Sequence, residues 1–427
     1  MIAEKTATTQ ILLDSLSRSS AKVPFINNEI LARALAYLEN KGIPGKSHEE
    51  YKYCNMEAIL RREFSNCKQK SIQQAETSAF RSPLYLTIVL LNGRYAPDLS
   101  DAIPSDVVDV KAFSALGPNE LAHLAYIARV EQDAFIALNT AFTGDGAYIK
   151  VKSKKTPAKP IRVLNLLGHE GDYILNSRYV LHLEEGALAE LVEEQRFTGT
   201  GKVFSNLLSE RLLERNTKLR AVHLQIGFPD SYTVNSTQAL LAPQSEYTCC
   251  TFSSGAQLIR NNHNVVLGGK ESAAHLYGLF YGKNNQLIDN HTLMDHQVPD
   301  CQSNELYKGI GDDKSTAVFN GKIYVRKDAQ KTNAYQSSKN ILLSDEAGIN
   351  AKPQLEIYAN DVKCSHGTST GRIDETALFY LRSRGISEQS ARKLLLQAFA
   401  QEVIDSIESE AIRNLVGEQF MEHLHVV

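Results

Sequence analysis

Apolar positions follow two different periods along this chain. Near the N-terminus, Asn28 to Leu38 carries them at helical spacing and stops at Lys41-Gly42, a helix-ending signal. Met56 to Phe64 predicts a second short helix. Leu84 to Leu91 is a β-rich run that closes on Asn92-Gly93, a tight-turn dipeptide. Asn119 to Phe142 returns to helix, with Leu121, Leu124, Ile127, Ala128 and Val130 as its apolar stripe. The first ~140 residues therefore read as mostly helical.

From Gly144 to about Gly371 the pattern changes to strand-length pieces at 147–152, 161–167, 179–183, 219–226, 264–267, 274–281, 286–291, 317–325, 340–343 and 355–363. Glu185-Gly186, Gly268-Gly269 and Asn320-Gly321 are turn signals between them, the last favouring an antiparallel hairpin. Many short strands without interleaved helices predict an all-β unit: a sandwich, a barrel or a β-helix. The runs are often apolar at consecutive positions, as suits strands buried on both faces. No hexapeptide or nonapeptide period is present.

The last ~55 residues are helical again. Asp374 is the N-cap of a helix with Ala377, Leu378 and Leu381 on one face, and Gly385 is its C′ residue. Ser387 caps a second helix with a stripe of Ala391, Leu394, Leu395, Ala398, Phe399 and Val403, and Arg392 and Lys393 facing outward. That stripe serves either internal packing or a partner-docking face, because a short helical pair has little core of its own.

Composition narrows the function classes. The 427 residues are 43% hydrophobic and 22% charged, ordinary for a globular chain of two or three domains. A net charge of −3 gives no bulk basic character for nucleic acid. No apolar run approaches membrane-spanning length. Met1 to Lys5 lacks a basic segment leading into an apolar one, which predicts a cytoplasmic protein. Cys54, Cys67, Cys249, Cys250, Cys301 and Cys364 form no CxxC pair and read as free thiols, most of them small buried hydrophobes. Gly199-Thr200-Gly201-Lys202 and Gly268-Gly269-Lys270 lack phosphate-loop spacing, so no ATP site is expected. Nucleophile-elbow, zincin and dinucleotide motifs are absent as well, which tilts the reading toward a non-catalytic scaffold.

Candidate chemistry concentrates at Cys364-Ser365-His366. On a strand these two side chains share a face, so sulfur and imidazole can address one metal or one acceptor. Two ligands do not complete a site, so a partner chain or remote residues must supply the rest. The plain alternative is a partly buried cysteine and a turn histidine at a domain junction. His291, His296 and Cys301 read as a polar, turn-containing coil, since histidines five apart do not share a strand face. Cys249-Cys250 points adjacent thiols to opposite strand faces, one of them into the core.

Several strings resemble the SufB/SufD family of iron–sulfur cluster assembly proteins, and within it the SufD branch. The strongest is Tyr358 to Gly367 with Asp374 to Ile386. Asn304 to Gly309, Ala317 to Ile323, Asp328 to Thr332, Asn340 to Ser344 and Lys352 to Ile357 continue it upstream. Gly42-Ile43-Pro44 with Glu50 to Tyr53 looks like the SufD entry motif, although Tyr51 stands where the family often has Trp. Asn92-Gly93-Arg94 with Leu99-Ser100 is a further match.

The resemblance implies a right-handed parallel β-helix between N- and C-terminal helical domains, bounded here as 1–143, 144–370 and 371–427. It implies a scaffold subunit that pairs with SufB, docks the SufC ATPase through its C-terminal helices, and shares a transient iron–sulfur cluster with SufB in a SufBC2D-type complex. ATP hydrolysis is then expected on SufC, and the resemblance leaves open a reduced flavin in the complex and a homodimer in isolation. The family's interface histidine carries over to His366, as an iron or cluster ligand. Cys364 matches the neighbouring family cysteine, while the principal sulfur acceptor is expected on SufB. Leu394, Leu395 and Phe399 become the candidate SufC-docking residues. The rival readings are a β-helix carbohydrate-active enzyme, a stand-alone homodimeric iron or cluster carrier, and a self-contained metalloenzyme.

Overall fold

The consecutive apolar runs in the middle of the chain build the rungs of a parallel β-solenoid. The computed structural model describes residues 7–19, 23–61, 64–66 and 80–424. Met1 to Lys5, Cys67 and part of the predicted helix to Phe64 lie outside the described residues.

The strands are β1 (Ser65–Asn66), β2 (Leu86–Leu91), β3 (Arg94–Tyr95), β4 (Val108–Ala112), β5 (Ala147–Val151), β6 (Ile161–Glu170), β7 (Tyr173–Leu183), β8 (Leu188–Thr200), β9 (Val203–Leu213) and β10 (Lys218–Ile226). They continue as β11 (Ser231–Leu241), β12 (Glu246–Ser254), β13 (Leu258–Leu267), β14 (Ala273–Gly282), β15 (Leu287–His296), β16 (Gln302–Gly311), β17 (Thr316–Val325), β18 (Thr332–Leu342), β19 (Gly348–Ile357) and β20 (Val362–Gly371). Odd-numbered strands from β5 to β19 form one sheet and even-numbered strands from β6 to β20 the other, each strand parallel to the one a full turn later. β4 and β1 join the first sheet, and the β2–β3 hairpin extends the second. That hairpin turns on Asn92 and Gly93, both at positive φ, as expected for this dipeptide.

The helices are α1 (Ala7–Ser19), α2 (Asn28–Lys41), α3 (Met56–Leu60), α4 (Pro118–Leu121), α5 (Ala134–Phe142), α6 (Glu375–Ser383), α7 (Glu388–Ile404) and α8 (Glu410–His423). α1, α2, α3 and α5 cover the outer face of the odd sheet, packing on Ile174, Phe204, Val234 and Leu258. α6, α7 and α8 cover the outer face of the even sheet, packing on Val222, Leu224, Phe252 and Leu279. Strands such as β7 and β9 are thereby buried along their whole length, so their apolar residues need not alternate. Cys249 and Cys250 show the consequence: one packs in the interior and the other under the C-terminal helices, both as free thiols.

Inside the solenoid, glycine and aromatic residues interlock. Gly278 sits in register with Tyr307, and Gly309 with Phe280. A Cβ on either glycine would lie 2.2 Å from the facing ring, so the rings occupy the missing side chains' space.

Four expectations are corrected. The 119–142 segment is not one helix: Ala125 adopts positive φ, and the buried Glu210 carboxylate accepts the amides of Ala125, Ile127 and Ala128, replacing helical hydrogen bonds. Asn320-Gly321 is no hairpin turn but lies within β17, its Asn320 amide donating outward to Glu50. The 355–363 piece is two strands, β19 and β20, parted by a turn at Tyr358 to Asp361. The C-terminal region holds three helices rather than two, and the buried stripe of α7 runs through Ala391, Leu396, Ala400 and Val403, leaving Leu394 and Ala398 exposed.

Candidate functional site

The solenoid has an open end. β19 and β20 terminate their sheets, so their outer edges meet no further strand among the described residues. Tyr335, Ile357 and Tyr358 lie exposed around this last turn.

β20 carries Cys364 and His366, and its register decides where they point. Cys364 pairs with Ala334 and His366 with Gln336, both buried inward-facing residues of β18. Both site residues therefore face the solenoid bore at its mouth, on one strand face as their spacing predicts. Cys364 is half-buried against the interior cluster, and that burial pushes its thiol up, so the thiol form is favoured. His366 is exposed.

Beneath them the bore is polar. Gln336 Nε2 donates to Glu305 Oε2 at 2.6 Å. Burial pushes the Glu305 carboxyl up to about 7, with Thr292 and Gln336 pulling it partly back.

His291 and His296 lie on β15, a regular strand and not the predicted coil, and they point to opposite faces. His296 is buried, with Nε2 2.9 Å from Ser303 Oγ, and burial lowers its pKa to about 4. Cys301 is a buried thiol in the turn before β16, donating to Gly269 O at 3.3 Å. His291 instead joins the outer surface, 3.3 Å from Glu50 and 2.9 Å from Asp289. The His291 hydrogen bond holds the Glu50 carboxyl down at about 2. Arg260 completes this clasp, donating to Glu50 O at 2.7 Å and Asp289 at 2.6 Å and stacking on Tyr51. The Glu50–Tyr53 motif thus straps the N-terminal region across the odd sheet.

A second interior cluster had no counterpart in the sequence reading beyond Cys249. Sγ of Cys249 lies 3.6 Å from His223 Nε2, and His263 stacks on His223 at 5.7 Å. These are metal-ligating types, but Arg211 donates to the same His223 nitrogen at 2.5 Å and to Tyr179 and Tyr247, with Glu193 3.6 Å away. Burial and the Arg211 charge hold both imidazoles neutral. The guanidinium occupies the position of a cation, so the cluster reads as a closed polar core. Register pairs only Glu193 with His223; the other members meet across the bore from different strands, so the repeat of 26 to 32 residues, as from Tyr232 to Leu258 and Thr316 to Gly348, would not have aligned them.

Of the predicted docking residues on α7, only Leu394 is exposed. Leu395 and Phe399 pack on the solenoid, and the Phe399 carbonyl accepts from Lys308 at 2.7 Å. Phe379 and Tyr380 on α6 are exposed neighbours that the sequence reading passed over.

Two family models match the chain: the SUF system FeS cluster assembly SufBD core domain over residues 166–399, and the SufBD protein N-terminal region over residues 14–163. The chain belongs to the SufBD family. The iron–sulfur cluster assembly protein SufD of Escherichia coli K12 is 31% identical over 386 residues, 90% of this chain and 89% of that protein. An iron–sulfur cluster assembly SufBD family protein of Synechocystis is 29% identical over 381 residues, 86% of this chain and 84% of that protein. The chloroplast protein ABCI7 of Arabidopsis thaliana is 32% identical over 328 residues, 73% and 68% of the two chains. The SufBD core match includes both interior clusters and the open end with Cys364 and His366. Membership places the chain in iron–sulfur cluster assembly by the SUF system. Among the described residues, no helix is long and apolar enough to cross a membrane.

Proposed function

We propose that this chain is a non-catalytic scaffold subunit of SUF cluster assembly whose open solenoid end pairs with a SufB-type chain. The observation that carries the reading is the terminal turn: two unpaired strand edges, exposed aromatic residues, and His366 and Cys364 at the mouth of the bore. Unpaired edges recruit strands of another chain. A histidine and a half-buried thiol there offer borderline and soft ligands for iron or a nascent cluster, the cargo of assembly, with the missing ligands on the partner.

SufC-type ATPase subunits would dock on the C-terminal helices, with Leu394, Phe379 and Tyr380 as the exposed apolar contacts. ATP binding by those subunits would then strain the paired scaffold through α6, α7 and α8 and open the junction at His366. Such coupling requires contacts that differ between two states. A cytoplasmic setting suits the free thiols.

The test is His366→Ala in the reconstituted complex, with iron and acid-labile sulfide measured after assembly. Cluster loading should fall at least tenfold while the complex still elutes as one species. Unchanged loading would remove His366 from the ligand set, and failure to recover a SufB-type partner with the native chain would remove the pairing.

A further inference from the structure

The buried carboxylates of the described residues face cations, with one exception. Among the described residues, Glu193 lies 3.6 Å from Arg211, Glu194 2.6 Å from Arg196, Glu210 2.5 Å from Arg178, Asp289 2.6 Å from Arg260 and Asp295 2.9 Å from Arg326. Glu305, fully buried in β16, has only the neutral Gln336 and Thr292 beside it. Burying a carboxylate without a counter-charge is costly, and such groups are paired, bound to metal or held protonated.

The local hydrogen bonding is incomplete as well. One bond joins Gln336 Nε2 to Glu305 Oε2, and it leaves Glu305 Oε1 and Gln336 Oε1 buried without partners. Thr292 Oγ1, facing the bore from β15, lies beside the Glu305 carboxyl without completing a well-formed hydrogen bond. Two buried oxygens, Glu305 Oε1 and Gln336 Oε1, are therefore left without a hydrogen-bond partner. Gly321 lets Gln336 reach across the bore: a Cβ there would lie 2.2 Å from Gln336 Nε2, so the amide fills the room a side chain would take. In register, Glu305 lies under Gln336, and Gln336 under His366. The column spans two strand spacings, roughly 10 Å, and opens at the uncapped end.

We propose that Glu305 and Gln336 hold a divalent metal ion inside the bore, directly beneath His366. Carboxylate and amide oxygens select Mg²⁺, Mn²⁺ or Fe²⁺ over soft ions. The ion exchanges with solvent through the open end, past His366. Its identity as Fe²⁺ in the cell rests on the proposed role in cluster assembly, whereas the site itself rests on the orphaned oxygens and the missing counter-charge. On this account the bore stores a ferrous ion two turns in from the place where a cluster is built, and His366 is its route out.

The experiment uses the full-length chain under anaerobic conditions, with Mn²⁺ followed by electron paramagnetic resonance and Fe²⁺ by calorimetry. The wild type should take up one ion per chain, and Glu305→Gln, which keeps the shape and removes the charge, should weaken binding at least tenfold. Gln336→Met is a second variant that removes the amide oxygen, and thermal unfolding confirms that each variant is folded. Binding lost in Glu305→Gln but kept in His366→Ala supports the interior site even if His366 proves not to be a cluster ligand. Binding lost in both supports a shared column. No saturable binding by the wild type at millimolar ion, or equal binding by wild type and Glu305→Gln, overturns the proposal.

Discussion

Glu305→Gln has a second consequence that can be worked through without any metal. The Glu305 carboxyl titrates near 7 in the folded chain against 4.5 for an ordinary glutamate. Its pKa is raised, so between those values the folded state holds a proton that the unfolded state has released. Stability therefore falls as pH rises from 4.5 through 7 and levels off above it. At about 1.4 kcal/mol per pH unit, a separation of roughly 2.5 units corresponds to about 3 kcal/mol of instability at pH 8. Glutamine carries no charge at any pH and does not pay this cost. Wild type and Glu305→Gln should thus be nearly equal at pH 5, with the variant more stable by about 3 kcal/mol at pH 8. If all 427 residues unfold together, an unfolding entropy of roughly 0.9 kcal/mol/K turns that into a Tm gain of about 3 °C. Solenoids also open locally from their ends, so amide exchange in β16 and β18 should slow in the variant at pH 8 and not at pH 5. Both measurements are made with a chelator present. A difference between the two proteins that is the same at pH 5 and pH 8 would refute the reasoning, because it would mean that Glu305 does not titrate in this window.

Three further outcomes are expected. Gly278→Ala places a methyl 2.2 Å from the buried Tyr307 ring and should cost about 1–3 kcal/mol in chemical denaturation; a cost under 0.5 would mean that the ring has room to move. Glu210→Gln leaves the fully buried Arg178 without its counter-charge, so it should cost about 3–5 kcal/mol and speed amide exchange at Ala125, Ile127 and Ala128; slow exchange there would show that the loop does not depend on Glu210. Phe379→Ser with Leu394→Ser alters exposed side chains only, so stability should stay within about 0.5 kcal/mol while affinity for a SufC-type ATPase falls at least tenfold; an unchanged affinity in a binding titration would move the docking surface elsewhere.

What the sequence revealed depended on which face of each strand was apolar. β17 and β14 were legible because consecutive apolar residues survive burial on both faces. β9 was not: its Ser205, Asn206, Ser209, Glu210 and Arg211 are buried yet read as loop-forming residues. Their partners lie on other strands, with Gln195 10 residues before Ser205, Thr237 a full turn after Ser209 and Tyr247 36 residues after Arg211, and nothing local announces them. The same reason hid Glu305, which acquires meaning only when the register stacks it under Gln336 and His366. The turn length drifts between 26 and 32 residues, so a fixed-period search finds no repeat. Cys364-Ser365-His366 was legible because its chemistry is local, two residues on one strand.

The terminal turn brings these threads together. A flat, unpaired edge of ten residues is an aggregation hazard, and solenoids normally cap their last repeat with a polar or helical unit. Here the C-terminal helices pack against the side of the even sheet and leave β20 itself largely exposed. The strand is blunted by composition instead, with Lys363, Ser365, Thr368, Ser369 and Thr370 and with glycine at 367 and 371, so it offers little apolar surface to a wrong partner. Its backbone N–H and C=O groups nonetheless remain available. Affinity at such an edge comes from main-chain pairing, and selectivity must come from the few side chains that chemistry singles out. On β20 those are Cys364 and His366, which face the bore rather than solvent-side neighbours. On the proposed function, an edge built this way would favour a partner that brings both a strand and complementary ligands, the requirement for building a cluster between two chains.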